Sequence, residues 1–242
     1  MPRKASQPDP RRSSRRSDPP SRLNIPVDTF PALGRLAGVR HAFLCRVPGL
    51  DVRTDREQAL ARVAGIHADA RRELGFPLAP FGTARQVHGN HVAVLRDPVT
   101  HEVADTDGLV TNLPGLCLGV YVADCCAVYL VDPVKRAIGL LHSGKKGTEL
   151  GIALRAVETM SREYGSIPSD LVAQLSPCIR PPNYEVDFAA EIARQLRAAG
   201  VGLVEDCAVD TSDIKRYYSY RIEQGRTGRL LALLMLDPVQ TP

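Results

Sequence analysis

The sequence lacks tryptophan, and aromatic residues make up only 5% of its 242 positions. This scarcity counts against a carbohydrate-binding or base-stacking surface. The sequence also lacks an apolar run long enough to span a membrane, and its N-terminus has no hydrophobic stretch of the kind found in signal peptides. These absences predict a cytoplasmic protein without a membrane partner.

A disulfide framework is missing as well. The cysteines lie mostly inside apolar segments and lack the dense spacing of a secreted disulfide scaffold. They are Cys45, Cys117, Cys125, Cys126, Cys178 and Cys207. We expect reduced thiols, in keeping with a cytoplasmic location.

Positive charge is concentrated at the start of the chain. The whole chain has a net charge of +4, whereas residues 1–22 hold seven Lys and Arg against Asp9 and Asp18, a balance of +5. The remainder therefore carries +4 − 5 = −1. Because residues 1–22 are rich in Pro, Ser and Arg and nearly free of apolar residues, we expect a disordered basic tail. The remaining residues, 23–242, have no basic surplus that would indicate nucleic-acid binding.

From residue 23 onward the hydrophobic pattern alternates between the periods of strands and helices. Helices are predicted over residues 51–75, with Thr54 as N-cap, 148–164 and 188–200. Strands are predicted over residues 39–46, 83–89, 91–96, 107–112, 115–124, 126–132, 137–143, 171–177, 201–206, 217–221 and 229–236. No linker and no internal repeat interrupts this pattern. It predicts a single mixed α/β domain.

Three potential metal ligands follow short apolar runs: His88, Cys125 and His142. Strand ends can converge at one edge of a sheet, where imidazole and thiolate groups suit zinc. Three protein ligands leave one coordination position open, which is typical of a catalytic zinc site. Asp124, beside Cys125, is a candidate to orient a ligand or transfer protons. Taken singly, each histidine could be a core residue, Cys125 a small buried hydrophobe and Asp124 a turn residue.

A candidate anion site follows His142. Residues 143–148 lead into a predicted helix whose free N–H groups could bind phosphate, with Lys145 and Lys146 beside them. The segment does not match the Walker pattern, and two solvated lysines on a capped helix are the alternative. Four arginines near the C-terminus could add one or two further contacts: Arg216, Arg221, Arg226 and Arg229.

Taken together and in order, these motifs resemble the laccase-domain proteins, once called multicopper polyphenol oxidases and now regarded as purine nucleoside phosphorylases with adenosine deaminase activity. The resemblance covers about residues 40–237. Its motifs lie at residues 86–89 (QVHG), 107–111 (DGLVT), 123–125 (ADC), 142–144 (HSG), 176–179 (SPCI), 184–186 (YEV), 218–221 (YSYR) and 227–229 (TGR).

The resemblance implies packed mixed β-sheets flanked by helices, with zinc held by His88, Cys125 and His142 and copper the less favoured metal. It implies adenosine, inosine, guanosine and methylthioadenosine as substrates, with phosphate or water cleaving the N-glycosidic bond and water able to replace the 6-amino group. By position, Arg46 and Arg221 fall in family motifs and are candidates for contacting substrate or phosphate. The oligomeric state is not implied.

The sequence departs from the family pattern at the candidate anion site. Lys145 and Lys146 stand where the family has Trp-Arg, and Ile222 stands where it has a second arginine. Lysine carries a mobile point charge rather than a planar fork, so this exchange changes how an anion would be held.

Three other functions stay open at this stage. A copper oxidase needs HxH and HCH arrangements of histidine, which the sequence lacks. A metal-free hydrolase or deamidase could use Cys125 as nucleophile with His88 or His142 as base. A catalytically reduced nucleoside-binding protein would account for the departures at the lysine pair. The signature of the zinc deaminases, H-x-E with P-C-x-x-C, is absent.

Overall fold

The structure, a computed structural model, describes residues 25–238. The predicted basic tail, residues 1–22, lies outside the described residues, as do both ends of the predicted domain over residues 23–242. Within the described range, the strands form two six-stranded mixed sheets that pack face to face. The predicted fold class of packed mixed β-sheets flanked by helices is thereby confirmed.

Sheet 1 contains the strands from both ends of the described chain. In spatial order its strands are β1 (Val27–Asp28), β2 (Val39–Leu44), β12 (Leu230–Leu236), β7 (Cys117–Val122), β3 (Phe81–Ala84) and β5 (Glu102–Val103). The β1–β2, β2–β12 and β12–β7 pairs are antiparallel, whereas β3 is parallel to both of its neighbours.

Sheet 2 contains the remaining strands. In spatial order they are β11 (Leu203–Asp206), β10 (Val172–Leu175), β8 (Cys126–Asp132), β9 (Ala137–Ser143), β6 (Gly108–Thr111) and β4 (Val92–Val94). The outermost pair on each side is parallel, and the central pairs are antiparallel.

Helices cover the outer faces of the sandwich. They are α1 (Pro31–Gly34), α2 (Arg56–Glu73), α3 (Lys145–Glu149), α4 (Ile152–Tyr164) and α5 (Phe188–Ala198), with a 3₁₀ turn at Pro168–Asp170. Helices α4 and α5 pack on sheet 2, while α2 packs on sheet 1 by stacking His67 on Tyr121 and Arg71 on Phe81. Within residues 25–238, no helix combines the length and apolar character needed to cross a membrane.

Successive side chains of β8 point alternately into two different hydrophobic cores. Tyr129 and its same-face neighbours point toward sheet 1, whereas Val128 and Leu130 point toward α4 and α5. Because every residue of β8 is buried, its sequence is continuously apolar up to Asp132. Tyr129 also donates a hydrogen bond of 2.9 Å from its hydroxyl to the Ala42 carbonyl in the opposite sheet.

Two helix predictions change in detail. Helix α2 starts at Arg56 because the side chain of Asp55, rather than that of Thr54, accepts the Gln58 N–H as N-cap. The single helix predicted over residues 148–164 is two helices, because Gly151 adopts a left-handed conformation (φ 73°) between α3 and α4.

The strand predicted over residues 217–221 is wrong. This segment forms successive turns, in which the N–H groups of Glu223 and Gly225 bond to the carbonyls of Ser219 and Tyr220. Tyr218 is fully buried and its hydroxyl accepts the Val47 N–H, so the apolar character of the segment reflects packing of a loop. We call residues 217–229 the C-terminal loop.

Testing the contact between the sheets requires a matched pair of tyrosines. We expect Tyr129→Phe to lower the free energy of unfolding by about 1 kcal/mol, because a buried hydrogen bond to Ala42 is lost. Tyr164→Phe should change it by less than about 0.5 kcal/mol, because the buried Tyr164 hydroxyl has no partner among the described residues. Urea denaturation would measure both, and equal effects would contradict this account.

Candidate active site

The chain leaves sheet 1 at the end of β7 and enters sheet 2 at Cys126, and Cys125 lies at this crossing. His142 is near the end of β9, beside β8, and His88 lies in the loop after β3. The potential ligand atoms of His88, Cys125 and His142 all lie within 4.8 Å of one another. The structure therefore brings together the three predicted ligands.

The buried carboxylate of Asp107 holds this cluster in place. Its Oδ1 accepts hydrogen bonds from His142 Nδ1 (2.8 Å) and from the His88 backbone N–H (2.9 Å). Its Oδ2 accepts the N–H groups of Gly89 (2.7 Å) and Val87 (3.2 Å). The bond to Nδ1 directs the other ring nitrogen of His142, Nε2, toward the cluster. This role of Asp107 was not predicted from the sequence, although Asp107 opens one of the family motifs.

Local backbone geometry confirms how tightly the cluster is built. His88 has φ 59° and Asp124 has φ 80°, left-handed values that cost energy for residues other than glycine. The three N–H groups bonded to Asp107 offset this cost at His88. At Gly144, an added Cβ would lie 2.5 Å from Cys125 Sγ, so only glycine leaves room for the sulfur there.

The pKa values of Cys125 and His142 are shifted by their neighbours. Burial alone would raise the pKa of Cys125, but the charge and hydrogen bonds of His142, and then those of His88, lower it to about 6. Burial opposes the charged form of His142, but the Cys125 thiolate and the hydrogen bond to Asp107 raise its pKa to about 9. Without a metal, these shifts favour a thiolate–imidazolium pair near neutral pH.

The donor set fits a zinc-sized ion. Zinc–ligand distances of about 2.0–2.3 Å in a tetrahedron put donor atoms roughly 3.3–3.8 Å apart, so small side-chain rotations would close the cluster around one ion. The Nδ1–H of His142 is already donated to Asp107, as is usual for a metal-bound histidine. Among residues 25–238, this is the one group of three or more His, Cys, Asp or Glu residues with such spacing.

A cavity of about 910 Å³ opens onto the cluster. Aromatic side chains form part of its wall: Tyr121, Tyr184, Phe188 and Tyr220. The low aromatic content had counted against a base-stacking surface, but one third of the chain's 12 Phe and Tyr residues line this cavity. A volume within the usual range for small-molecule sites and a wall that is partly aromatic suit a planar heterocycle.

The charged groups in the wall are mostly cationic. Five are positive and two are negative: Arg56, Lys145, Lys146, Arg221 and Arg229 against Asp124 and Glu149. The cavity therefore favours a ligand that carries negative charge.

The predicted residues Lys145, Lys146, Asp124 and Arg221 all line this cavity. The two lysines are exposed at the start of α3, a helix of only five residues. Asp124 accepts hydrogen bonds of 2.7 Å from Thr211 Oγ1 and from the Arg221 N–H, and the second of these ties the C-terminal loop to the crossing between the sheets. The Arg221 side chain pairs with Glu185 and stacks on Tyr184.

Arg46 is not brought to the cavity. Its guanidinium pairs with Glu223 at 2.5 Å, donates to the Tyr217 carbonyl at 3.0 Å and lies over the Tyr218 ring. These contacts hold the base of the C-terminal loop. Arg46 therefore supports a wall of the cavity from behind.

Several residues of the cavity were not predicted from the sequence. Arg56 was not predicted as a site residue because it starts a long helix. Gln86 was noted only as part of the QVHG motif. Tyr184 and Tyr220 lie within family motifs, which was the available signal. Arg229 was grouped with three other arginines, and only burial distinguishes it from them.

The fold and the site define a class of two-sheet proteins with a potential His–Cys–His metal site beside a cavity. The chain matches the family model described as multi-copper polyphenol oxidoreductase laccase over residues 35–191 and 186–237. The protein therefore belongs to this laccase-domain family, as its motifs had suggested.

Curated relatives in this family carry the name purine nucleoside phosphorylase. The protein so named from Deinococcus radiodurans is 33% identical over 232 residues, covering 82% of this chain and 89% of that one. A Mycobacterium tuberculosis protein named purine nucleoside phosphorylase is 34% identical over 203 residues, covering 73% and 80%.

Solved structures share the fold. YlmD from Geobacillus stearothermophilus has a TM-score of 0.71 and 25% identity, covering 86% of this chain and 94% of its own. The hypothetical protein YfiH from Bacillus licheniformis has a TM-score of 0.73 and 24% identity, covering 84% and 94%.

The pKa of Cys125 leads to a pH-dependent prediction for the metal-free protein. Iodoacetamide reacts with the thiolate, so alkylation of Cys125 should rise with pH to a half-maximum near pH 6. In the denatured chain the midpoint should move to about 8.5. Mass spectrometry of the alkylated peptide would measure both profiles. His142→Asn should shift the folded-state midpoint upward, and an unchanged midpoint in that variant would contradict the assigned cause.

Proposed function

We propose that the protein is a zinc-dependent purine nucleoside phosphorylase. The observation that carries this proposal is the His88–Cys125–His142 cluster, which opens onto a cationic cavity with aromatic walls. The names of the relatives support the same reaction class. The proposed substrates are adenosine, inosine, guanosine and methylthioadenosine.

In this proposal His88, Cys125 and His142 hold the zinc, and Asp107 orients His142. One thiolate and two imidazoles form a donor set typical of zinc. Copper is the less favoured metal, because the described residues offer one three-ligand group rather than the several histidine-rich centres of a copper oxidase. Bound zinc would supply a Lewis acid at the base of the cavity.

The aromatic wall would hold the purine. The rings of Tyr184 and Phe188 pack edge to face with 5.7 Å between their centroids, and both residues line the cavity. Tyr220 is 56% exposed, which leaves much of its side chain free to contact a ligand. Stacking on such rings favours any purine, in keeping with a site that accepts several nucleosides.

The cationic groups would hold phosphate and position it for the reaction. An oxygen of phosphate forms a bond to C1′ of the ribose while the bond from C1′ to the purine nitrogen breaks. The electron pair of that bond stays with the purine, which takes up the proton that hydrogen phosphate gives up, so the products are ribose 1-phosphate and the free base. Asp124 is the proposed proton-transfer group, because each of its oxygens keeps acceptor capacity beyond the one bond that it makes.

Adenosine deamination is proposed as a second activity of the same cavity. Water adds at C6 of the purine and ammonia leaves, which converts adenosine to inosine. This reaction needs no phosphate, so the two activities respond differently to phosphate concentration.

A metal-free Cys–His enzyme is the second candidate function. The lowered pKa of Cys125 beside His142 favours it, since a thiolate nucleophile with an imidazolium partner could attack a carbonyl or amidine carbon. Metal content separates this candidate from the first.

We expect about one zinc per chain in protein purified without added metal or chelator. Cys125→Ser should lose most of this zinc, because it removes the thiolate ligand. Cys126→Ser is the matched control, since Cys126 is fully buried and bonds to backbone carbonyls instead. Plasma mass spectrometry would count the metal. Equal zinc in both variants would contradict the proposed ligand set.

Phosphate-dependent release of free base tests the reaction itself. Zinc-loaded protein incubated with adenosine or inosine should release base only when phosphate is present, and it should convert adenosine to inosine more slowly. Liquid chromatography resolves all of these products. Neither base nor inosine from any of the four nucleosides, while Cys125 still holds its zinc, would count against this function and favour a nucleoside-binding protein.

A further inference from the structure

The five positively charged side chains of the cavity differ in whether an ion pair or water stabilises their charge. Arg221 already pairs with Glu185 at 2.8 Å and lies over Tyr184. Lys145 and Lys146 are exposed, so water can solvate both of them. Arg229 differs from these three because it is buried, and Arg56, although exposed like the lysines, is its positively charged neighbour.

Arg229 is a buried guanidinium, with only 9% of its surface exposed. Its Nη1 donates to the carbonyls of Thr227 (3.0 Å) and Gly228 (2.8 Å), which fixes the plane of the group. No carboxylate oxygen among residues 25–238 lies within 4.0 Å of its nitrogens. A buried charge without a counter-charge is costly, and arginine cannot escape this cost by losing its proton.

Arg56 adds a second positive charge beside the first. It is the first residue of α2 and lines the same cavity. Burial and then the charge of Arg56 lower the pKa of Arg229, so the two guanidinium groups are electrostatic neighbours. Within the described part of the chain Arg56 also has no carboxylate partner. Two like charges therefore line one ligand-sized cavity with no carboxylate of the described residues within ion-pair distance of either, and Tyr220, Cys125 and Asp124 offset the charge of Arg229 only in part.

We propose that Arg56 and Arg229 form a binding site for a phosphoryl dianion. Two guanidinium groups offer planar forks of N–H donors that match the oxygens of a tetrahedral phosphoryl group. The bonds of Arg229 to the Thr227 and Gly228 carbonyls preorganise one fork, and the exposed Arg56, which lines the same cavity, supplies the second. That the anion reacts with a nucleoside in the same cavity rests on the proposed function.

This assignment moves the anion site away from the start of α3. A five-residue helix contributes little macrodipole, and its two exposed lysines carry point charges rather than planar forks of donors. The arginine pair is instead placed by the C-terminal loop and by α2, two segments distant in sequence. Lys145 and Lys146 then supply long-range attraction rather than direct contacts.

Two kinds of ligand carry a phosphoryl dianion that fits this site. The dianion is either inorganic phosphate, which binds beside a nucleoside, or the 5′-phosphate of a nucleoside monophosphate. These sources make opposite predictions about competition. Inorganic phosphate as co-substrate should bind together with adenosine, whereas a 5′-phosphate site should bind AMP more tightly than adenosine and release it when inorganic phosphate is added.

The test is calorimetric titration of the full-length, zinc-loaded protein with inorganic phosphate, adenosine and AMP. Arg56→Gln should weaken the binding of the phosphoryl ligand by roughly tenfold or more, because a charge-assisted contact is lost. Arg229→Lys should weaken this binding to a similar degree, because lysine keeps the charge but lacks the planar fork of N–H donors. Adenosine affinity should stay unchanged in both. The matched control is Arg226→Gln, an exposed arginine of the same loop that does not line the cavity.

Zinc content and melting temperature show whether each variant still folds. Because Arg56 is exposed, its variant keeps the test valid if Arg229 variants prove unstable. Phosphoryl binding equal to wild type in Arg56→Gln would overturn the proposal. So would a loss caused by Lys145→Gln or Lys146→Gln but not by Arg56→Gln. Binding of the phosphoryl ligand without release of base would leave this site standing while refuting the phosphorylase. Base release unaffected by Arg56→Gln would refute this site while leaving the phosphorylase standing.

Discussion

The site depends on one buried carboxylate, that of Asp107. It is fully buried, and a carboxylate in that position is stable only when its oxygens are hydrogen-bonded. The four N–H groups that it accepts come from the turn around His88 and from the His142 ring. Satisfying one buried charge therefore places two imidazoles from separate segments against each other, with Cys125 between the sheets as the third member.

The topology places the cavity where the chain crosses between the sheets. The chain changes sheets at Cys125, and residues 123–125 line the space of the cavity. The C-terminal loop covers part of that space, held by Arg46 and Glu223 underneath and by Asp124 at the crossing. The loop carries Tyr220 and Arg229 into the cavity wall. Residues far from the reacting groups thus shape the site by fixing this loop.

Much of the architecture could be predicted from the sequence. Strands β8 and β9 match their predicted bounds because long apolar runs end at Asp132 and Ser143. The His88–Cys125–His142 cluster also followed from motif order. The part that could not be predicted depends on tertiary packing: the buried tyrosines of the C-terminal loop mimic a strand pattern. Arg229 becomes distinctive only through its burial, and Asp107 only through bonds to residues 18 to 35 positions away.

The most direct test of the central claim is the zinc affinity of Asp107→Asn. An amide cannot accept all four hydrogen bonds, so His88 and His142 should lose their fixed orientation and zinc should bind about 10–100-fold more weakly. Asp132→Asn is the matched control, because Asp132 is equally buried and accepts backbone N–H groups at a turn of β8 away from the cluster. Competition with a chromogenic chelator measures both affinities. A zinc affinity of Asp107→Asn equal to that of Asp132→Asn would contradict the account.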